Sequence, residues 1–413
     1  MESKTDTNLA FQFIIGTTII FAGFVIVYVL LIQFGILGSM VNDFTNFWAD
    51  GYLAKINLLY PYNYNITIAD FYAFPFRYLP SCLFLAEFFT NWNYTTAYII
   101  YEAICIFANA INILLLVRIF RQVKVDAKFH KTILIAYSIS FLWTLTAGNI
   151  SQLVSLCVIT GLYLFLNNRA NLGMFVLGLS IILKPVTFFI PLFIIIYDLF
   201  FGNEKFFNIL KKVACLLIVF IPDVYLFLTV NNLLSVFIQI NLITYPLVTP
   251  IPVLSFAGIL ESYGANQTWT TIISAIIAMC FGIFILSKMK YSTNQTVLLF
   301  CFWYGVASLF VAYGEIWPSQ LVFFVPCLIA NCRNTKYGNK LLKCILYFEF
   351  CNSLYWDTLF GSGPNYGVQI QVGKFIAFSN GYMLLYVMPF VAIGLFFVIY
   401  YSVRLTLEGE EWK

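Results

Sequence analysis

The chain carries a single histidine, His130, among 413 residues, and charged side chains make up only 10% of it. His130 lies in a basic stretch, which argues against histidine-based catalysis and against a histidine-ligated metal. The ten cysteines form no CxxC pair and show no metal-site spacing; most sit inside apolar runs and read as small core hydrophobes. Neither a Walker loop nor a GxGxxG turn is present, so ATP-driven pumping within this chain is not expected. Nothing marks a nucleic-acid partner, and the net charge of +4 says little by itself. So few charges also exclude an ordinary soluble domain, whose surface they would have to coat.

What is present is 62% hydrophobic residues and a mean hydropathy of +0.89. A bilayer span takes roughly 20 apolar residues, so there is room for about ten to thirteen helices. The first run, 11–37, is too long for a signal-peptide core and lacks a small-residue cleavage site, which makes it a retained span. Further spans are expected at 94–117, 132–147, 150–167, 171–183, 185–201, 213–230, 269–287, 296–313, 317–331, 341–358 and 381–403. With both termini cytoplasmic, only Lys55, Arg77, Lys184 and Lys374 of the 22 Lys and Arg fall outside, as the positive-inside rule requires. Two local choices keep that sorting. "FRYLPSCLFLAEFF" (76–89) is a re-entrant or surface helix, and 171–201 is a hairpin turning at "LKP". The expected fold is therefore an all-α polytopic membrane protein of about twelve spans in one domain, 1–413. Its outer face has a long first loop, 38–93, with juxtamembrane helices. A second loop, 231–268, is broken by Pro246, Pro250 and Pro252 and suits a lid or groove wall for something lipidic.

The stretch "VNDFTNFWADGYLAK" places Asp43 and Asp50 seven residues apart just beyond the first span. If 43–56 is helical, both carboxylates lie on one face, about 10.5 Å apart along the axis, too far to share a proton. Phe47 and Ala54 share that face, while Trp48, Tyr52 and Lys55 point elsewhere. Asp43 either caps this helix or does chemistry. Lys184, in "LGLSIILKPVTFFIPLF", sits among apolar residues, where a cation costs roughly 2.5–3.5 kcal/mol and needs a partner, a function or a route to the headgroups. Near the outer surface it suits a lipid phosphate. Arg77 in "FRYLP" offers a fork for the same group, or a loop contact to Asp70 or Glu87. The tracts "LLYPYNYN", "ESYGANQTW" and "GEIWPSQ" fit sugar binding and fit an interfacial aromatic belt equally. On the expected outer side, glycosylation sequons fall at Asn65, Asn93, Asn149 and Asn266.

Three stretches resemble polyprenyl-phosphate-sugar-dependent glycosyltransferases of the GT-C class, and within it the family 87 mannosyltransferases. "NDFTNFWADGYLAKINLLYPYN" is similar to that family's first outer loop, and "FRYLPSCLFLAEFF" to its Tyr-x-Pro element. "TAGNISQLVSLCVITGLYLFLNNRANLGMFVLGLSIILKPVTFFIPLFII" resembles its outer turn, span, basic turn and span ending in Lys-Pro. Together they cover roughly residues 40–200. The resemblance implies that Asp43 is the catalytic base and that Lys184 and Arg77 hold the donor phosphate. Asp50 would orient the acceptor or support the helix. The family's usual Gly-Gln reads Gly148-Asn149 here, with Gln152 nearby, and its late outer turn, often carrying a histidine, offers Glu315 and Gln320 instead. Asn149, Gln152, Glu315 and Gln320 are candidate acceptor or supporting groups.

The implied activity is transfer of a sugar, mannose by the resemblance, from a polyprenyl-phosphate donor to a glycolipid or lipid-linked glycan on the extracytoplasmic side. One base and direct displacement imply inversion. The lipid donor needs no nucleotide and no cofactor, and a carboxylate-held divalent cation stays compatible. Expected partners are membrane lipids, the donor and the acceptor. The alternatives are a transporter or lipid-sugar flippase, for which Asp223 is the residue to watch, and a non-catalytic subunit of a glycan-assembly complex.

Overall fold

A long apolar run leaves its backbone N–H and C=O groups one local way to pair in a bilayer, which is to coil. The computed structural model of the protein follows that rule. It describes residues 2–34, 43–62, 66–68, 71–73, 76–125, 127–146, 148–240, 267–289, 294–312, 336–360 and 381–408. The helices begin with α1 (Glu2–Gln33), α2 (Asp43–Ile56), α3 (Cys82–Phe89), α4 (Tyr94–Gln122), α5 (Ala127–Thr146), α6 (Ser151–Leu166) and α7 (Ala170–Leu183). They continue with α8 (Phe189–Phe200), α9 (Phe206–Leu217), α10 (Ile221–Thr229), α11 (Leu233–Ile238), α12 (Gln267–Lys288), α13 (Asn294–Ala312), α14 (Lys336–Phe360) and α15 (Gly381–Glu408).

Among the described residues, three helical stretches are long and apolar enough to cross a membrane: Asn8–Leu30, Tyr94–Gln122 and Phe206–Thr229. Shorter apolar helices include Ser151–Leu166, Ala170–Leu183 and Pro185–Phe200. Phe11, Ile19, Phe206 and Leu228 on the long stretches are 62 to 82% exposed. Apolar side chains turned outward in that number suit a lipid surround and would be a liability in water.

Two expectations change in detail. The long loop expected at 38–93 is not wholly helical, since Ile66–Ile68 and Phe71–Ala73 pair antiparallel as a small hairpin, β1 and β2. The span expected at 213–230 begins at Phe206 instead, so the cluster Lys211 and Lys212 is helical. Lys212 is nearly buried there and pairs with Asp198 at 2.9 Å and with Glu204 at 3.7 Å, which is what lets the helix run through charges. The expected span at 317–331, Glu315, Gln320, the sequons Asn65 and Asn266 and most of the 231–268 loop lie outside the described residues.

The hairpin expected at "LKP" is present. Arg169 and Ala170 at the start of α7 line the same cleft of about 1110 Å³ as Tyr197, Asp198 and Phe201 at the end of α8, so the chain doubles back between them. Gln122 at the end of α4 and Asn294 at the start of α13 reach that cleft too. All these segments fall on one side in the expected topology. In the interior, α4 packs on α1 and α6, and α7 on α6 and α9. Buried amides and hydroxyls tie the helices: Asn109 donates to Thr17 at 3.2 Å, Asn112 to Tyr137 at 3.0 Å and to Ser155 at 3.3 Å, and Gln152 to Tyr137 at 3.2 Å.

The helix that carries Asp43 is docked by aromatic burial. Phe44 stacks on Tyr101 of α4 at 4.6 Å and meets Phe89 of α3 edge-on at 5.5 Å. Deleting such a fully buried ring costs about 3–5 kcal/mol. The bond from Lys55 to Asn91, 3.2 Å long, is exposed and screened by solvent, so the rings decide the position of α2. Gly51 lets α2 approach α3 closely, because a Cβ there would run into the backbone of Ala86. Gly51→Ala is therefore expected to cost about 1–3 kcal/mol. A thermal-unfolding series in detergent measures it against Gly16→Ala, where a Cβ meets open space and no loss is expected.

The 76–89 segment is anchored from an unexpected quarter. Asp223 of α10 accepts from the backbone N–H of Ser81 at 2.7 Å and from its hydroxyl at 2.7 Å, at the start of α3. One oxygen thereby serves a free backbone N–H at a helix end and the other the serine hydroxyl beside it. Hydrogen bonds to a charged group are worth about 1.5–3 kcal/mol. Asp223→Ala is expected to lower thermal stability by about that amount and to open the 76–89 segment to limited proteolysis.

Candidate active site

Local sequence explains how two distant turns come to face α2. Gly148 has φ 59°, the left-handed conformation that glycine adopts without strain, and it ends α5. The N–H of Gly148 bonds Leu145 O at 3.0 Å and that of Asn149 bonds Thr144 O at 3.1 Å, the reversal that caps a helix and throws the next residue across its end. Asn149 is thus placed at the mouth of α6. On the other side, Pro185 disfavours helical backbone at the residue before it, and Lys184 is extended, with φ −155° and ψ 104°. α7 stops at Leu183, and the lysine side chain leaves the helix direction. Ser180 and Thr187 staple this turn through their hydroxyls at 2.8 Å.

These turns converge on Asp43. One carboxylate oxygen of Asp43, Oδ2, accepts from the amide N–H of Asn149. The amide oxygen of Asn149 accepts from Lys184 Nζ at 3.1 Å, from the Ser151 N–H at 2.9 Å and from the Ser151 hydroxyl. Lys184 also donates to Ser151 Oγ at 2.8 Å. Asn149, Ser151 and Lys184 are buried, whereas Asp43 is exposed and presents its other oxygen, Oδ1, without a hydrogen bond among the described residues. Asp43 lies in the first turn of α2, yet its bonded partner is 106 residues away rather than a free N–H of its own helix. Both of the readings open for Asp43 in the sequence are thereby narrowed to a group held by a distant turn.

The electrostatics follow from crowding. Burial pulls Lys184 down to about 8, with the charge of Asp43 opposing. The protein packed around Asp43 pushes its carboxyl above the ordinary value, while the Asn149 hydrogen bond and the Lys184 charge pull it back. Burial alone holds Asp50 well above the usual carboxylate range. Asp50 is 3% exposed and shares the inward face of α2 with Phe47 and Ala54, so that shared face is the packed face of the helix. Tyr78 lies among these charges: burial pushes its hydroxyl up, Asp43 and Asp50 push the same way, and Arg77 pulls it down. Arg77 itself is half-buried.

Of the expected site residues, the structure brings together Asp43, Asn149 and Lys184, with Arg77 and Asp50 grouped around Tyr78 beside them. Gln152 instead belongs to the buried network with Tyr137, one residue beyond the site. Ser151 and Tyr78 were not singled out by sequence. Ser151 was visible as the third position of the sequon at Asn149, whose buried amide is engaged by Asp43 and therefore not free to carry a glycan. Tyr78 stood within the Tyr-x-Pro element. Among the described residues no group of three His, Cys, Asp or Glu side chains is placed to hold a metal ion.

The arrangement offers an exposed carboxylate with one oxygen not hydrogen-bonded among the described residues and, behind it, a buried cation joined to it through an amide. Such a pair can accept a proton at one atom and stabilise an anion nearby. No protein-family model matches the chain, and no curated protein matches it.

Proposed function

We propose that the protein is a membrane glycosyltransferase of the GT-C class with about twelve spans. It transfers a sugar, mannose in the first instance, from a polyprenyl-phosphate donor to a lipid or lipid-linked glycan at the extracytoplasmic face. The observation that carries this reading is the junction of Asp43 with Asn149, Ser151 and Lys184, which come from α2, the α5–α6 turn and the α7–α8 turn and meet at one point. Asp43 takes the proton of the acceptor hydroxyl through Oδ1. The hydroxyl oxygen bonds the anomeric carbon as the bond to the phosphate oxygen breaks, and the phosphate leaves with the electron pair. A positioned base contributes about 10²- to 10⁴-fold in such a step. Lys184, which has a third N–H beyond those given to Asn149 and Ser151, and Arg77 beside Tyr78 would meet the growing charge on the phosphate.

A transport reading would rest on Asp223, but both oxygens of Asp223 are engaged by Ser81. Proteoliposomes given synthetic polyprenyl-phosphate-mannose and a panel of glycolipid acceptors test the proposal. Expected are free polyprenyl phosphate and a glycosylated acceptor of inverted anomeric configuration. Retention of configuration would remove the single-base mechanism, and intact donor with every acceptor would remove the enzyme.

A further inference from the structure

The hydrogen bonds at this junction have a direction. A protonated lysine has three N–H donors and no acceptor, so Ser151 Oγ must accept from Lys184. The serine's own proton is then turned to Asn149 Oδ1, where the Ser151 N–H and Lys184 Nζ also point. Three donors meeting one atom of an amide fix that atom as the oxygen, since an NH₂ group would face them donor to donor. The NH₂ of Asn149 is left facing Asp43 Oδ2, and it has no freedom to turn over. The sequence runs one way, from ammonium to hydroxyl to amide to carboxylate, and in a buried setting each bond polarises the next. Asn149 is 5% exposed, Ser151 is fully buried and Lys184 is 8% exposed, so water competes little along this route.

We propose that Asn149 is a positioning residue, an amide clasp through which buried Lys184 holds the Asp43 carboxylate ionised and keeps Oδ1 turned toward the acceptor. The proposal rests on the reading of Asp43 as the base, and it gives Lys184 a second task besides meeting the donor phosphate. It also accounts for a residue type. The shorter asparagine can close the turn onto the Ser151 N–H and still reach Asp43, which joins backbone geometry to carboxylate orientation in a single side chain. Gly148 and Pro185 are then part of the same device, because they aim the two turns that carry it.

Groups facing Asp43 are Lys184 from the α7–α8 turn, Asn149 from the α5–α6 turn and Tyr78 from the segment before α3, with Arg77 and Asp50 acting around Tyr78. The variant Asn149→Asp changes one atom and leaves the others in place. It keeps the oxygen that receives Lys184 and Ser151 and replaces the donor facing Asp43 with a like charge. Ser151→Ala removes the hydroxyl step and leaves the backbone N–H.

The test reads Asp43 directly. A membrane-permeant carbodiimide modifies protonated carboxyl groups, and the peptide carrying Asp43 is quantified by mass spectrometry across a pH series in detergent. Asp43→Asn serves as the blank. In Asn149→Asp the labelling midpoint of Asp43 is expected to rise by at least about one pH unit. In Ser151→Ala a smaller rise in the same direction is expected, at unchanged elution on size exclusion. A merely structural role for Asn149 would leave the midpoint in folded Ser151→Ala where it is, because that variant brings no new charge to Asp43. An unchanged midpoint in Asn149→Asp, or a shift there with none in Ser151→Ala, would overturn the proposal. Labelling needs no substrate, so the two ideas separate: shifted midpoints in a protein that transfers no sugar would keep the clasp and remove the glycosyltransferase.

Discussion

Asp43→Asn is expected to lose sugar transfer by at least about a hundredfold while binding the donor as before, within the 10²- to 10⁴-fold that a positioned base contributes. The asparagine is isosteric and keeps an oxygen for the Asn149 amide, so α2 and its aromatic anchors are left in place. The loss should therefore appear in kcat and not in the donor KM. Equal transfer by both proteins would place the base elsewhere, and Asp50 and Glu315 would be examined next. The packed position of Asp50 argues for a supporting role on α2 and makes the first of these an unfavourable base.

Lys184→Gln is expected to reduce transfer about 10²- to 10³-fold, the usual consequence of removing one preorganised donor from a developing anion. Its pH dependence is the more specific signature. Lys184 has its proton affinity lowered to about 8, so the wild type should lose rate as pH rises through about 8 and the cation is discharged. Asp43 has its proton affinity raised, so on the acid side rate should fall earlier than for an ordinary carboxylate, as the base takes up a proton. The wild type then shows a bell, with the alkaline limb belonging to the lysine. In Lys184→Gln the alkaline limb near 8 should vanish. The acid limb should move upward, because a positive charge that favoured the ionised carboxylate has gone. An alkaline limb that survives the substitution would assign it to another group and detach Lys184 from the chemistry.

Much of the architecture was legible because lipid imposes a simple rule. Runs such as 94–117 and 150–167 can be little else than helices; the first lies within α4, and α6 fills the second to within one residue at each end. The helix expected at 43–56 is α2, residue for residue. Isolated charges in so apolar a chain are conspicuous, and Asp43 and Lys184 stood out for that reason. What escaped was whatever depends on small polar side chains, which look alike in loops, cores and sites. Asn149 and Ser151 carry the surface pattern of a sequon and turn out to be buried. Gln152 carries the chemistry of a site residue and turns out to join helices. Asp223 resembles a charge in a transport path and turns out to hold the end of α3. In each case the deciding fact is a partner more than a dozen residues away, or the face of a helix, and neither is written in local pattern. The strands Ile66–Ile68 and Phe71–Ala73 are too short to produce a readable alternation.

The central claim is that this protein moves a sugar between molecules rather than a lipid between leaflets. Sided proteoliposomes test it most directly: labelled polyprenyl-phosphate-mannose and a glycolipid acceptor are supplied to the face bearing Asp43, and the lipids are resolved by mass. The account predicts that label passes to the acceptor with one polyprenyl phosphate released for each sugar moved. Label that stays on its original polyprenyl phosphate while the donor changes leaflet would contradict it.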